Sequence, residues 1–153
     1  MSRSAYDYSL DLLSARPYTV RNLTRKMREK EFPPDDIAMA IERLQAAGLL
    51  DDRKFAAEYS RQKLTAGAAI RRVKQDLMRK GIDRRSIDEA VEKTLEDEPV
   101  DQAAAIERIA LRKLRTMGDL DDVTRRRRLT AFLARKGYEI DYIKKVVSRI
   151  LLS

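Results

Sequence analysis

At 153 residues and a net charge of +8, the chain has room for one domain or for a short array of units each too small to fold alone. It has no Cys, His or Trp, which removes disulfide frameworks, thiol nucleophiles, the common zinc sites and the imidazole proton shuttle from consideration. Charged residues at 38% against 6% aromatic describe helices with wide solvated faces rather than a thick core.

The first expected helix runs from about Ser4 to Ala15, with Leu10 and Leu13 inward, and stops where Arg16 meets Pro17. Thr19 can cap a second helix carrying Leu23 and Met27, and Pro34 suits the first position of a third that continues through Ile41 and Leu44 to Gly48. Asp51 is the expected cap of the next helix, with Phe55 and Tyr59 on one face, and Gly67 interrupts before the stretch from Arg71 to Ile87. There Val73 and Leu77 lie one turn apart, Gly81 stops the helix, and Ile82 and Ile87 have the spacing of a hydrophobic staple. The helix holding Ile87, Val91 and Leu95 ends near the acidic run Glu96, Asp97, Glu98 and Pro99. A long helix through Ile106, Ile109 and Leu114 is expected to end at Gly118, and Asp119 with Asp122 has capping-box spacing for a helix carrying Leu129, Phe132 and Leu133. A last helix holds Ile143, Val147, Ile150 and Leu151.

These elements repeat. Leu77, Lys80, Ile82, Ile87 and Val91 match Met27, Lys30, Phe32, Ile37 and Ile41 fifty residues earlier, and Leu133, Lys136, Tyr138, Ile143 and Val147 fifty-six later. The pattern predicts an all-α fold without β-sheet: three tandem three-helix repeats, residues 1–50, 51–98 and 99–153. Short connections make this an elongated, curved array of either hand. Asp7 and Asp11 break the N-terminal apolar positions, and no run approaches the roughly 20 apolar residues of a membrane span, so neither a signal peptide nor membrane contact is expected. With Cys absent, a cytoplasmic setting is expected. No sustained heptad suggests a coiled-coil dimer, so a monomer is expected.

Residues 101–153 carry 13 basic and 7 acidic side chains, and Arg61–Arg85 holds nine basic residues against Asp76 and Asp83. A polarised basic surface points to a polyanion or an acidic protein face. With Leu129 at zero, 100° per residue puts Phe132 and Leu133 at about −60° and +40°, and Arg127, Arg128 and Arg135 at about 160°, 260° and 240°. Arg71, Arg72 and Arg79 share that register, while the first repeat has Arg21, Asn22 and Glu29. A merely solvated helix face would also carry arginine, but matched rows favour phosphate contact, to which the guanidinium fork is suited. Arg125 and Arg126 point toward the core edge in this register, with their stems packed along it.

Lys30, Lys80 and Lys136 precede each helix stop, where a cation complements the helix dipole. The pairs Asp35–Asp36, Asp51–Asp52 and Asp121–Asp122 fall at helix starts and are read as caps rather than as acid–base or metal groups. Tyr6, Tyr8 and Tyr18 are able to stack on bases but suit packing of the first repeat better. No glycine-rich phosphate loop, and no Ser beside a base, suggests catalysis or a cofactor.

Leu49-Leu50-Asp51-Asp52, Phe55-Ala56 and Tyr59, Arg72-Val73 with Asp76-Leu77 and Lys80-Gly81-Ile82, and Phe132-Leu133 with Arg135-Lys136-Gly137-Tyr138 together resemble the RecX family of bacterial regulators of the RecA recombinase. The chain departs from the family pattern at Gly67-Ala68-Ala69-Ile70, at Asp76 and at Lys63. The resemblance implies three three-helix units and a protein that is not an enzyme and needs no cofactor. It also implies binding to RecA and its nucleoprotein filament, with ATP hydrolysis and strand exchange damped, in homologous recombination, DNA repair and the SOS response. Arg71, Arg72, Arg79, Arg127, Arg128 and Arg135 are then the expected contact residues, to the phosphates of single- or double-stranded DNA or to an acidic surface of the recombinase filament. The alternatives are a sequence-tolerant DNA-binding protein acting without a recombinase and a helical protein-binding adaptor.

Overall fold

Side-chain caps set most helix starts. Ser4, Thr19, Asp51, Asp83, Asp101 and Asp121 each accept hydrogen bonds from amides two or three residues on, satisfying donors that a first helical turn leaves free. They launch α1 (Ala5–Ala15), α2 (Val20–Glu29), α4 (Asp52–Thr65), α6 (Arg84–Asp97), α7 (Gln102–Leu114) and α8 (Asp122–Arg135). Pro34 opens α3 (Pro34–Ala46), and α5 (Ile70–Arg79) and α9 (Ile140–Leu152) complete the order. The computed structural model describes residues 3–152; among them are these nine helices and no strand.

Every substantial helix–helix packing falls within α1–α3, α4–α6 or α7–α9. Each trio encloses a buried cluster, the third also taking in Ala69 from the second unit. Leu23 and Met27, Val73 and Leu77, and Leu129 and Leu133 are all buried, so the second helix of each unit turns the same stripe inward. Each such side chain contributes about 1.5–3 kcal/mol of burial free energy. Ile82 with Ile87 and Tyr138 with Ile143 are buried as staple partners.

Since helices of different units hardly pack, the joints are made by ends and turns, which gives a tandem array. The same coupling occurs twice. Val20, first residue of α2, donates its amide to Asp52 Oδ1 (2.9 Å), and Ile70, first residue of α5, donates to Gln102 Oε1 (3.3 Å). In each case the acceptor sits at the start of the next unit's first helix. Thr19 Oγ1 donates to the Lys80 carbonyl (2.6 Å), Gln102 Nε2 to the Ala68 carbonyl (3.0 Å), and Tyr138 Oη to the Gly67 carbonyl (2.5 Å). A Cβ at Gly81 would lie 2.6 Å from that of Arg21, and one at Gly137 would lie 3.2 Å from the Arg72 amide. The turns therefore seat directly on the preceding unit. In the first unit the equivalent turn residue is Glu31, exposed and held at φ 64°.

The third unit departs from expectation. α7 ends at Leu114 rather than at Gly118, because Thr116 and Met117 fold back in tight turns onto the Lys113 and Leu114 carbonyls and Met117 is buried. Asp121, not Asp119, caps α8, accepting from the Thr124 amide (3.1 Å) and hydroxyl (2.6 Å). Those bonds to Thr124 hold the Asp121 carboxyl below its usual range. α8 thus starts early: Arg126, in register with Val20 and Ile70, is its fifth residue.

Candidate polyanion-binding face

The stripe that buries Val73 with Leu77, and Leu129 with Leu133, dictates what the opposite side of each helix does. Arg71, Arg72 and Arg79 on α5, and Arg127, Arg128 and Arg135 on α8, are all exposed. Their electrostatic settings differ. Asp76 lies 3.6 Å from both Arg72 Nε and Arg79 Nη1, and it accepts from Tyr59 Oη at 3.3 Å. Burial, and then the Asp76 carboxylate, push the Tyr59 phenol up. The residue in register with Asp76 on α8 is Phe132, so Arg127, Arg128 and Arg135 have no ion-pair partner among the described residues. Phe132 instead lies beneath Lys113 (4.7 Å) and Lys136 (5.1 Å).

Arg125 and Arg126 do not belong to that outer row. Arg125 is half-buried and donates to the Gly118 carbonyl (2.8 Å), and Arg126 reaches Ser148 Oγ on α9 (2.9 Å) while remaining exposed. The three recurrent lysines are the C-cap residues of α2, α5 and α8. They also lie over aromatic rings: Lys30 over Tyr8, Lys80 over Phe55 and Tyr59, Lys136 over Phe132. The acidic pairs sit at the starts of α3, α4 and α8, and no group of carboxylates among the described residues is arranged to hold a metal.

The joint between the second and third units forms a cleft of about 500 Å³ that draws Arg72 and Arg135 together. Lys63, Arg108 and Lys136 line it as well. Arg108 lies across Gly67 and donates to the Ala66 carbonyl at 3.5 Å. Tyr138 closes the floor, its phenol pushed up by burial against the opposing effect of Arg108. Arg71, Arg79, Arg127 and Arg128 lie outside this cleft. Lys63 and Arg108 come from α4 and α7, and no periodicity within one helix marks them as neighbours of Arg72.

Fold and charge together define a tandem three-helix-repeat protein with exposed arginines in matched register on two successive units. Three family profiles match in order: the first three-helix domain of RecX over residues 5–44, the second over 51–91 and the third over 100–147. The chain belongs to the RecX family. A protein named Regulatory protein RecX from Pseudomonas entomophila is 31% identical over 140 residues, spanning 92% of this chain and 87% of that one. One of the same name from Streptomyces coelicolor is 34% identical over 143 residues, spanning 93% and 74%. The crystal structure of RecX from Lactobacillus salivarius superposes with a TM-score of 0.77 at 21% identity, covering 97% of this chain and 96% of that one. That likeness concerns the fold.

Proposed function

We propose that this chain is a non-catalytic regulator of homologous recombination that binds RecA and the RecA–DNA filament and lowers ATP hydrolysis and strand exchange. Membership of a family of regulatory proteins supplies the setting. The observation that carries the contact is the outward exposure of Arg71, Arg72 and Arg79 with Arg127, Arg128 and Arg135 on equivalent helices of successive units. Such a display suits a repeating polyanion, and a slender array of units suits a helical groove.

Titration of RecA's DNA-dependent ATPase with this protein at moderate salt tests the reading, with inhibition expected. Reversal of Arg71, Arg72, Arg127 and Arg128 to Glu should weaken filament binding while the helical circular dichroism stays unchanged. Equal inhibition by that variant would remove these residues from the contact. Tight, salt-sensitive binding to naked DNA with no effect on the ATPase would instead select a DNA-binding protein that acts without a recombinase.

A further inference from the structure

A second cleft, between α7 and α8, is lined by Lys113, Arg128 and Arg135 and has no acidic side chain in its wall. The cleft at the joint, with Lys63, Arg72, Arg108, Arg135 and Lys136, has none either. Clefts elsewhere mix signs: one holds Asp51 and Glu58 with Lys54, another Asp97 and Glu98 with Lys93, a third Glu31 and Asp36 with Lys30. Of these five clefts, the two that exclude carboxylates are neighbours. They share Arg135, the last residue of α8, and Lys136 caps that helix.

From this placement we infer that the two clefts form one track for the sugar–phosphate backbone of a single nucleic-acid strand, running from the joint past the C-terminal end of α8 into the α7–α8 groove. The inference rests on the nucleic-acid side of the reading above and deepens it. It adds the cleft-lining cations Lys63, Arg108, Lys113 and Lys136 to the row residues Arg72, Arg128 and Arg135 as phosphate seats. A duplex, stiff over about 150 base pairs, does not bend from one cleft over a helix end into the next. A single strand does. Since Lys63 and Arg72 belong to the second unit and the other cations to the third, an occupied track ties the two units together.

The test is fluorescence anisotropy of a labelled oligothymidine across a salt series, with a duplex of equal length in parallel. Each phosphate seat adds about −0.7 to the slope of log affinity against log salt for a single strand. Lys63→Gln with Arg108→Gln and Lys113→Gln should therefore reduce the slope by about 2. None of the three lies on the arginine rows. Should the triple variant lose its helical spectrum, Lys63→Gln with Lys113→Gln alone should reduce it by about 1.4. An unchanged slope overturns the track, as does a duplex bound equally tightly by the unmodified protein. If the slope falls as expected but the unmodified protein leaves RecA's ATPase untouched, the track stands and the recombinase reading fails.

Discussion

Glu31 offers the sharpest test of how the repeat was built. It occupies the position that Gly81 and Gly137 hold in the other units, and its φ of 64° lies in the left-handed region. For a residue with a Cβ this conformation costs about 1–2 kcal/mol. Glu31→Gly removes that cost but adds about 0.4–1 kcal/mol of chain entropy to the unfolded state, leaving a net gain of about 0.5–1 kcal/mol. In a protein of this size the melting temperature should rise by about 1–4 °C in calorimetry or circular dichroism. Gly81→Ala is the counterpart, because there the new Cβ is both strained and 2.6 Å from the Cβ of Arg21. It should cost more than Glu31→Gly gains. A Glu31→Gly variant no more stable than the parent, or a Gly81→Ala variant melting at the parent temperature, would refute the account of these turns.

Tyr138→Phe removes the 2.5 Å bond to the Gly67 carbonyl and should cost about 1 kcal/mol. Amide exchange should quicken around residues 67–70 while that of α1–α3 is unaffected. Asp52→Asn keeps the acceptor for the Val20 amide but removes a carboxylate whose pKa burial raises, the Val20 bond only partly offsetting this. A raised folded-state pKa means the charge opposes folding above it, and the penalty disappears as the pH falls below the ordinary value of 3.8. Denaturant titrations should therefore find Asp52→Asn as stable as the parent or more so at pH 7, with the advantage gone below pH 3.8. The reverse order at those two pH values would contradict it.

The nine helices were legible because their signals are local: Thr19, Pro34 and Asp51 stand next to the turns they start, and the three-and-four spacing of Leu, Ile and Val marks each buried stripe. For the same reason the exposure of six arginines followed from register alone. Where a tertiary contact decides, local signals fail. Gly118 looked like the end of α7, but with Met117 buried the chain leaves the helix sooner, at Leu114. Lys63 and Arg108 stand far from Arg135 in sequence, and only the joint brings them to one cleft. Tyr138 matched the apolar Ile82 in the repeat, but its hydroxyl also serves a carbonyl 71 residues away, which no spacing rule reveals.

The early start of α8 has a consequence for how long such a chain can grow. Successive units are fastened by a free amide at the mouth of one helix and a side chain at the root of another, a fastening that could in principle be copied indefinitely. In the third unit the corresponding amide, on Arg126, lies a full turn inside α8 and is spent on the helix itself. The extra turn thus withdraws this one fastening: a further unit seated here in the same way would be held without that amide bond.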